Sequence, residues 1–333
     1  MKKILNQLFE HEKLSKAQAR EVLVNISQES YNPAQIAAFV TVYLMRGISV
    51  DELQGFREAL LELCIPIDVE GQHTVDLCGT GGDGKNTFNI STLSSFVVAG
   101  AGYKVTKHGN YGVSSVCGSS NVLEYLGYTF TNDQDQLLRQ LDQANICFLH
   151  APLFHPALAS VGPIRRQLGV KTFFNMLGPL VNPARPTRQS VGVFNLNLAR
   201  LYAYLHEGLE KNYSIIHAID GYDEVSLTGK TKVINNKGEY VVESSDFGLP
   251  QNTPESIYGG DDIASAANIF TQLLAGNATA PQVNAVLANS ALAIQCFDPS
   301  KSLTDCVGEA RQSIDSGAAL TAFKTLVSLS KAN

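Results

Sequence analysis

Residues 73–92, HTVDLCGTGGDGKNTFNIST, set four glycines (Gly79, Gly81, Gly82 and Gly84) between a short apolar run and a segment that opens Asn89-Ile90-Ser91-Thr92. Glycines let backbone N–H groups turn inward and approach an anion closely. A helix starting just beyond adds its own unpaired N–H groups and the positive end of its dipole. The chemistry expected of this stretch is the binding of a phosphorylated ligand. Two other motifs fit the same letters. Gly79 to Gly84 satisfies G-x-G-x-x-G, but a dinucleotide site wants an acid roughly 20 residues on, where this chain has Tyr103-Lys104-Val105-Thr106-Lys107. Gly79 to Lys85 satisfies G-x-x-x-x-G-K, but Asn86 follows where a triphosphatase needs a Ser or Thr hydroxyl for its metal, and Asp83 would put a carboxylate among the phosphates.

A second loop, from Lys107-His108-Gly109-Asn110 to Ser114-Ser115 and on to Cys117-Gly118-Ser119-Ser120, again joins lysine, glycine and small hydroxyl residues after a strand. Two such cradles at successive strand ends would flank one crevice. Farther on, Asp220-Gly221-Tyr222-Asp223-Glu224 follows another strand. Taken alone it is a solvated turn as readily as a site, but beside two phosphate cradles it could hold Mg²⁺, which takes one or two carboxylates plus substrate oxygens and waters. His108, His150 and His155 lack metal spacing, and His108 reads as a residue that shapes its loop. Arg165 and Arg166 are either surface residues or carboxylate holders acting through a planar fork.

The elements that would position these groups are legible from pattern. Residues 1–70 read as helices, with N-caps and reciprocal partners at Ser15/Gln18, Asn32/Gln35 and Ser49/Glu52, and Pro33 in a first helical position. From His73 the texture alternates. Strands are expected at 73–78, 103–107, 145–149, 190–194 and 213–219, and helices near 91–101, 119–126, 133–143 and 197–210. A hairpin is expected over 231–243 around Lys237-Gly238, then closing helices over 258–333. The fold class is α/β: a small N-terminal all-helical domain (1–70) and a larger α/β domain (71–333), whose mostly parallel central sheet is covered by helices and opens its ligand sites at the strands' carboxyl ends. Hinge closure of the helical domain is expected to exclude water from a reactive centre.

Composition is that of an ordinary globular protein: 333 residues, 44% hydrophobic and 17% charged. A formal charge of −6 argues against a nucleic-acid partner. No run approaches a membrane span, and MKKILNQLFEHEKLS lacks the apolar core of a signal peptide, so a cytoplasmic protein is expected. The six scattered cysteines read as reduced.

Several segments together resemble one family. GTGGD at 79–83, N-x-S-T at 89–92, KHGN at 107–110, GSSNVLEYLG at 118–127, LFHPALASVGPIRRQLGVKTFFNMLGPLVNP at 153–183 and DGYDE at 220–224 closely resemble anthranilate phosphoribosyltransferase, in order and over nearly the whole chain. GTGGD alone is shared with pyrimidine nucleoside phosphorylases of the same fold; KHGN and FFNMLGPLVNP tip the choice. The resemblance implies Mg²⁺-dependent transfer of the 5-phosphoribosyl group from phosphoribosyl pyrophosphate (PRPP) to anthranilate in tryptophan biosynthesis, by a homodimer joined through the helical domain. It implies that Gly79, Gly82, Asp83, Thr87, Asn89, Ile90, Ser91, Thr92, Lys107, Ser115 and Ser119 hold PRPP. Ser91, Asp223 and Glu224 would manage Mg²⁺, and Gly79, Asn110 and Arg165 would meet anthranilate, Arg165 through the carboxylate. No general acid or base is assigned. The competing readings are another acceptor on the same fold, a nucleoside phosphorylase, or a non-catalytic relative binding PRPP or nucleic acid.

The chain departs from the family pattern twice. Tyr111-Gly112 follows KHGN where Arg is common, and Asn121 stands where the family has Asp in GSADVLE. Loss of one basic and one acidic residue in neighbouring loops reads as a compensated exchange, because a buried partner left alone is costly. It bears on loop closure or affinity more than on reaction type.

Overall fold

The computed structural model describes residues 1–112 and 116–331 and divides into two compact units. One is helical. Its helices Lys16–Ser27, Pro33–Met45 and Val50–Leu63 each start at a reciprocal capping box, at Ser15/Gln18, Asn32/Gln35 and Ser49/Glu52, with Pro33 in the first turn. These local bonds satisfy the N–H groups that the first turn leaves open. Gly55 lets two of the helices touch, since a Cβ there would overlap the carbonyl oxygen of Lys16. Glu52 is fully buried and accepts from the N–H groups of Leu14 and Ser49 (each 2.9 Å), the Tyr43 hydroxyl (3.2 Å) and the Arg46 guanidinium (2.5 Å).

The compact helical unit is not confined to the N-terminus. Ala151–Pro183 belongs with Met1–Ile67. The cause is aromatic packing. Phe173 stacks on Phe56 at 4.7 Å and meets Phe39 and Tyr43 edge-on, while Ile65 N–H donates to Phe154 O and Ile67 N–H to Pro183 O. The apolar residues of 153–183 thus complete the core of the N-terminal helices.

The second unit, Asp68–His150 with Ala184–Asn333, carries one sheet. Its strands are β1 (Thr74–Gly79), β2 (Lys104–Gly109), β3 (Ile146–His150), β4 (Arg188–Gly192), β5 (Asn212–Ala218), β6 (Thr231–Asn235) and β7 (Gly238–Val242), in the order β3-β2-β1-β4-β5-β6-β7. The first five are mutually parallel, and the β6–β7 hairpin extends the sheet antiparallel to β5. Helices Ile90–Gly100 and Ala280–Gln295 bury mainly apolar residues in a core with Val75, Leu77, Val105 and Phe148. After β1 the chain builds outward through β2 and β3, then returns to the other side of β1 with β4. That reversal is a topological switch point, where open α/β sheets form a ligand crevice at the strands' carboxyl ends. The strands end there in glycine: Gly79 and Gly192 are register partners across β1 and β4, and Gly109 closes β2. Among the described residues no helix is long and apolar enough to cross a membrane.

Candidate active site

The first loop leaves β1 at Gly79 and turns through Gly81, Gly82 and Gly84, all with positive φ (60°, 84° and 74°), a region open mainly to glycine. Its inner wall is the acidic turn after β5. Gly81 N–H donates to Asp223 Oδ2 at 2.8 Å, and a Cβ on Gly79 would lie 2.5 Å from the same oxygen. Gly192 leaves room for the Asp223 backbone, whose carbonyl oxygen any Cβ there would overlap. Thr87 Oγ1 donates to Glu224 Oε2 at 3.0 Å, and the Ser91 N–H also reaches the Glu224 carboxylate. Asp83 accepts from Lys85 N–H at 3.1 Å through Oδ1, while its Oδ2 is buried without a hydrogen-bond partner.

Three carboxylates therefore converge on the glycine loop. Burial first, and then the Asp83 carboxylate, push Asp223 up to about 7. Burial, then Asp223 and Asp83, raise Glu224 well above the carboxylate range. Acids held at such cost mark functional sites. Among the described residues no three His, Cys, Asp or Glu side chains form a cage that could hold a metal by themselves. The orphaned Asp83 oxygen and the mutual repulsion of the acids nevertheless suit a hard cation that draws its remaining oxygens from substrate and water.

Helix Ile90–Gly100 begins at Asn89, whose side chain does not cap it. Asn89 Nδ2 instead donates to Cys117 O at 2.9 Å, tying the first loop to the second, and Asn89 Oδ1 is buried without a partner. Ile90 and Thr92 are buried at this helix start. Along the carboxyl half of β1, side chains join it to β2: Lys107 Nζ donates to Leu77 O at 2.6 Å and His108 N–H to Asp76 Oδ1 at 3.2 Å. Burial lowers the Lys107 ammonium, against the opposing charges of Asp76, Cys78 and Glu224. In the second loop Ser119 Oγ donates to Asn110 O at 3.2 Å. Ser115 lies outside the described residues.

The β1, β2 and β5 ends thus gather Gly79, Gly82, Asp83, Thr87, Asn89, Ser91, Lys107, Asn110, Ser119, Asp223 and Glu224 in one unit. Arg165 belongs to the helical unit, on helix Gly162–Leu168. Its guanidinium lies 5.5 Å from the Phe174 ring and donates to Asn175 Oδ1 at 3.3 Å. Burial lowers its pKa, and among the described residues no carboxylate pairs with it.

Sequence reasoning missed the brace beneath the first loop. Gly259 N–H donates to Asn86 O at 2.8 Å, Asn86 Nδ2 to Gly260 O at 3.0 Å, and Thr87 bridges to Tyr258. The sequence pattern predicts closing helices from residue 258 onward, whereas the first of them starts only at Ile263. The pair Gly259-Gly260 was the available signal, because a Cβ on Gly259 would lie 2.6 Å from Thr87 O.

A switch-point crevice with an anion loop on one strand and clustered acids on another defines an α/β enzyme that handles phosphorylated substrates. Comparison with known proteins narrows the class. The "Glycosyl transferase family, a/b domain" matches residues 71–320 and the "Glycosyl transferase family, helical bundle domain" residues 2–64. The chain is 56% identical to the anthranilate phosphoribosyltransferase of Christiangramia forsetii over 99% of this chain and 100% of that one. Among solved structures, that enzyme from Thermus thermophilus matches with a TM-score of 0.92 at 31% identity, covering 98% of this chain and 99% of the other. The Saccharomyces cerevisiae enzyme, in complex with PRPP and Mg, matches at 0.91 and 26%, covering 98% and 96%. The chain belongs to the anthranilate phosphoribosyltransferase family of glycosyl transferases.

Proposed function

We propose that this protein transfers the 5-phosphoribosyl group of PRPP to the amine of anthranilate, releasing pyrophosphate, with Mg²⁺ held by Asp223, Glu224 and Ser91. The observation that carries the reading is the set of buried acids held against the glycine loop by Gly81 N–H and Thr87 Oγ1. Acids raised by burial and mutual repulsion suit a cation bridging to a polyphosphate. Bound there, Mg²⁺ supplies charge neutralisation for the departing pyrophosphate.

The chain's own residues supply the rest. The left-handed glycines shape a loop without side chains that phosphates approach closely, joined by the start of helix Ile90–Gly100 and by Lys107, as preorganised charge. Asn89 fixes the first loop to the second, so phosphate binding and acceptor positioning share one scaffold. Arg165 takes the anthranilate carboxylate through its fork, and Asn110 and Gly79 align the acceptor with the anomeric carbon. The aromatic amine is a neutral nucleophile already, so no side chain need deprotonate it before attack. The exposed Phe9, Leu44 and Met45 of the helical unit support a homodimer through that unit.

Anthranilate fluorescence, followed after adding protein, PRPP and Mg²⁺ with an EDTA control, tests the reading. A metal-dependent decrease is expected. No decrease, with PRPP still bound by calorimetry, refutes the choice of acceptor.

A further inference from the structure

The two departures from the family pattern lie together in the α/β unit. Asn121, in the first turn of helix Ser119–Tyr125, accepts two backbone hydrogen bonds on one oxygen: from Gly112 N–H at 2.9 Å and from Gly118 N–H at 3.0 Å. A single amide thus ties the loop that leaves β2 to the start of the helix that follows it. Close packing supports the tie, because a Cβ on Gly118 would overlap the Gly112 nitrogen. The helix returns the contact, with Ser120 N–H and Ser119 Oγ both donating to Asn110 O, at 3.1 and 3.2 Å.

Tyr111 lies on the same strap. Its hydroxyl donates to Glu124 Oε1 at 3.2 Å, and its ring meets His150 edge-on at 5.0 Å. His150 is itself fixed, stacked on Phe130 at 4.2 Å and hydrogen-bonded through Nδ1 to Ser120 Oγ at 2.8 Å. The strap is therefore held at Asn110, Tyr111 and Gly112 in succession, by hydrogen bonds and ring contacts.

We propose that Asn121 and Tyr111 form a latch of uncharged side chains that fixes the 110–112 segment after β2, and are positioning residues for Asn110 in the transfer reaction. The role in turnover rests on the function proposed above; the latch itself does not. A displaced loop would misplace Asn110 without removing it, so the effect belongs in kcat more than in PRPP binding. Asp in place of Asn121 keeps an acceptor for both N–H groups; Ala does not.

The test compares wild type, Asn121→Ala, Asn121→Asp and Tyr111→Leu by steady-state kinetics and by amide hydrogen exchange at Gly112 and Gly118. In Asn121→Ala, kcat should fall roughly tenfold or more with the KM for PRPP within about threefold, because a misplacement near 1 Å costs on the order of 10²-fold. Exchange at both glycines should accelerate, and Asn121→Asp should restore both readouts. Tyr111→Leu should lower kcat in the same pattern and keeps the test open if Asn121→Ala does not fold. Wild-type kcat in the Ala variant, equal losses in Ala and Asp, or unchanged exchange at Gly112 overturns the proposal. A wild type that binds PRPP but spares anthranilate refutes the assigned reaction instead, and the exchange data still judge the latch.

Discussion

Asp223→Asn should stabilise the ligand-free protein while abolishing turnover, and the size of the effect follows from the carboxylate cluster. Asp223 is buried beside Asp83 and pushed from 3.8 to about 7. The folded state therefore binds a proton that the unfolded chain has released over this range, and stability falls as pH rises from about 4 to about 7. At about 1.4 kcal/mol per unit, the cost of Asp223 grows from about 2 kcal/mol at pH 5 to a ceiling of about 4 kcal/mol at pH 8. Asparagine removes that cost and keeps an oxygen for the Gly81 N–H. At about 2 °C per kcal/mol for a domain of this size, the variant should melt several degrees above wild type at pH 8, with a smaller gain at pH 5. Thermal unfolding in EDTA at pH 5, 6, 7 and 8 measures this. A gain independent of pH, or no gain at pH 8, refutes the electrostatic account of the cluster.

Three further outcomes are expected. Arg165→Ala should raise the KM for anthranilate on the order of 10²-fold, the value of a charge-assisted pair of about 3 kcal/mol, with the KM for PRPP unchanged in steady-state kinetics. Gly192→Ala forces the Asp223 backbone to move, so it should cost about 1–3 kcal/mol in denaturant unfolding and remove most activity. Glu52→Ala should destabilise the helical unit by about 3–5 kcal/mol, because it leaves Arg46 without its buried partner. Burial alone would raise Glu52, but Arg46 and the N–H groups of Leu14 and Ser49 overrule it and hold it low. Its contribution is thus present above its unfolded value near 4.5 and lost as pH falls through the lower folded one. Acid titration followed by circular dichroism should show that loss in wild type and not in the variant.

How far the sequence can be read depends on the range of each interaction. The capping boxes at Ser15, Asn32 and Ser49 join residues three apart, so their chemistry is written in adjacent letters. The strands follow from short-range pattern too, and each lies within about two residues of its expected place. The acidic turn is ambiguous in sequence for the opposite reason. Asp223 meets Gly81 across 142 positions, and only the register of Gly79 against Gly192 makes room for it. The same limit hides the membership of 153–183, since Phe173 finds Phe56 through tertiary packing rather than periodicity. The loop around Lys107 suggests a phosphate ligand, and nothing local announces its bond to Leu77 O.

The hydrogen bonds of the first loop also constrain how its ligands must bind. Of its N–H groups, Gly81 donates to Asp223, Lys85 to Asp83 and Ser91 to Glu224. The acids thus template the loop that the proposed reading gives to phosphate. They also oppose a phosphate, since a polyphosphate arriving alone would meet acids whose ionised forms repel it. A cation arriving alone would relieve the acids but find only water for the oxygens a polyphosphate supplies. Each charge makes the site for the other, so cation and PRPP must raise each other's affinity by the same factor. On the proposed reading the strain held in Asp223 and Glu224 is the source of that coupling, and for that reason the substitution expected to stabilise the fold should also remove turnover.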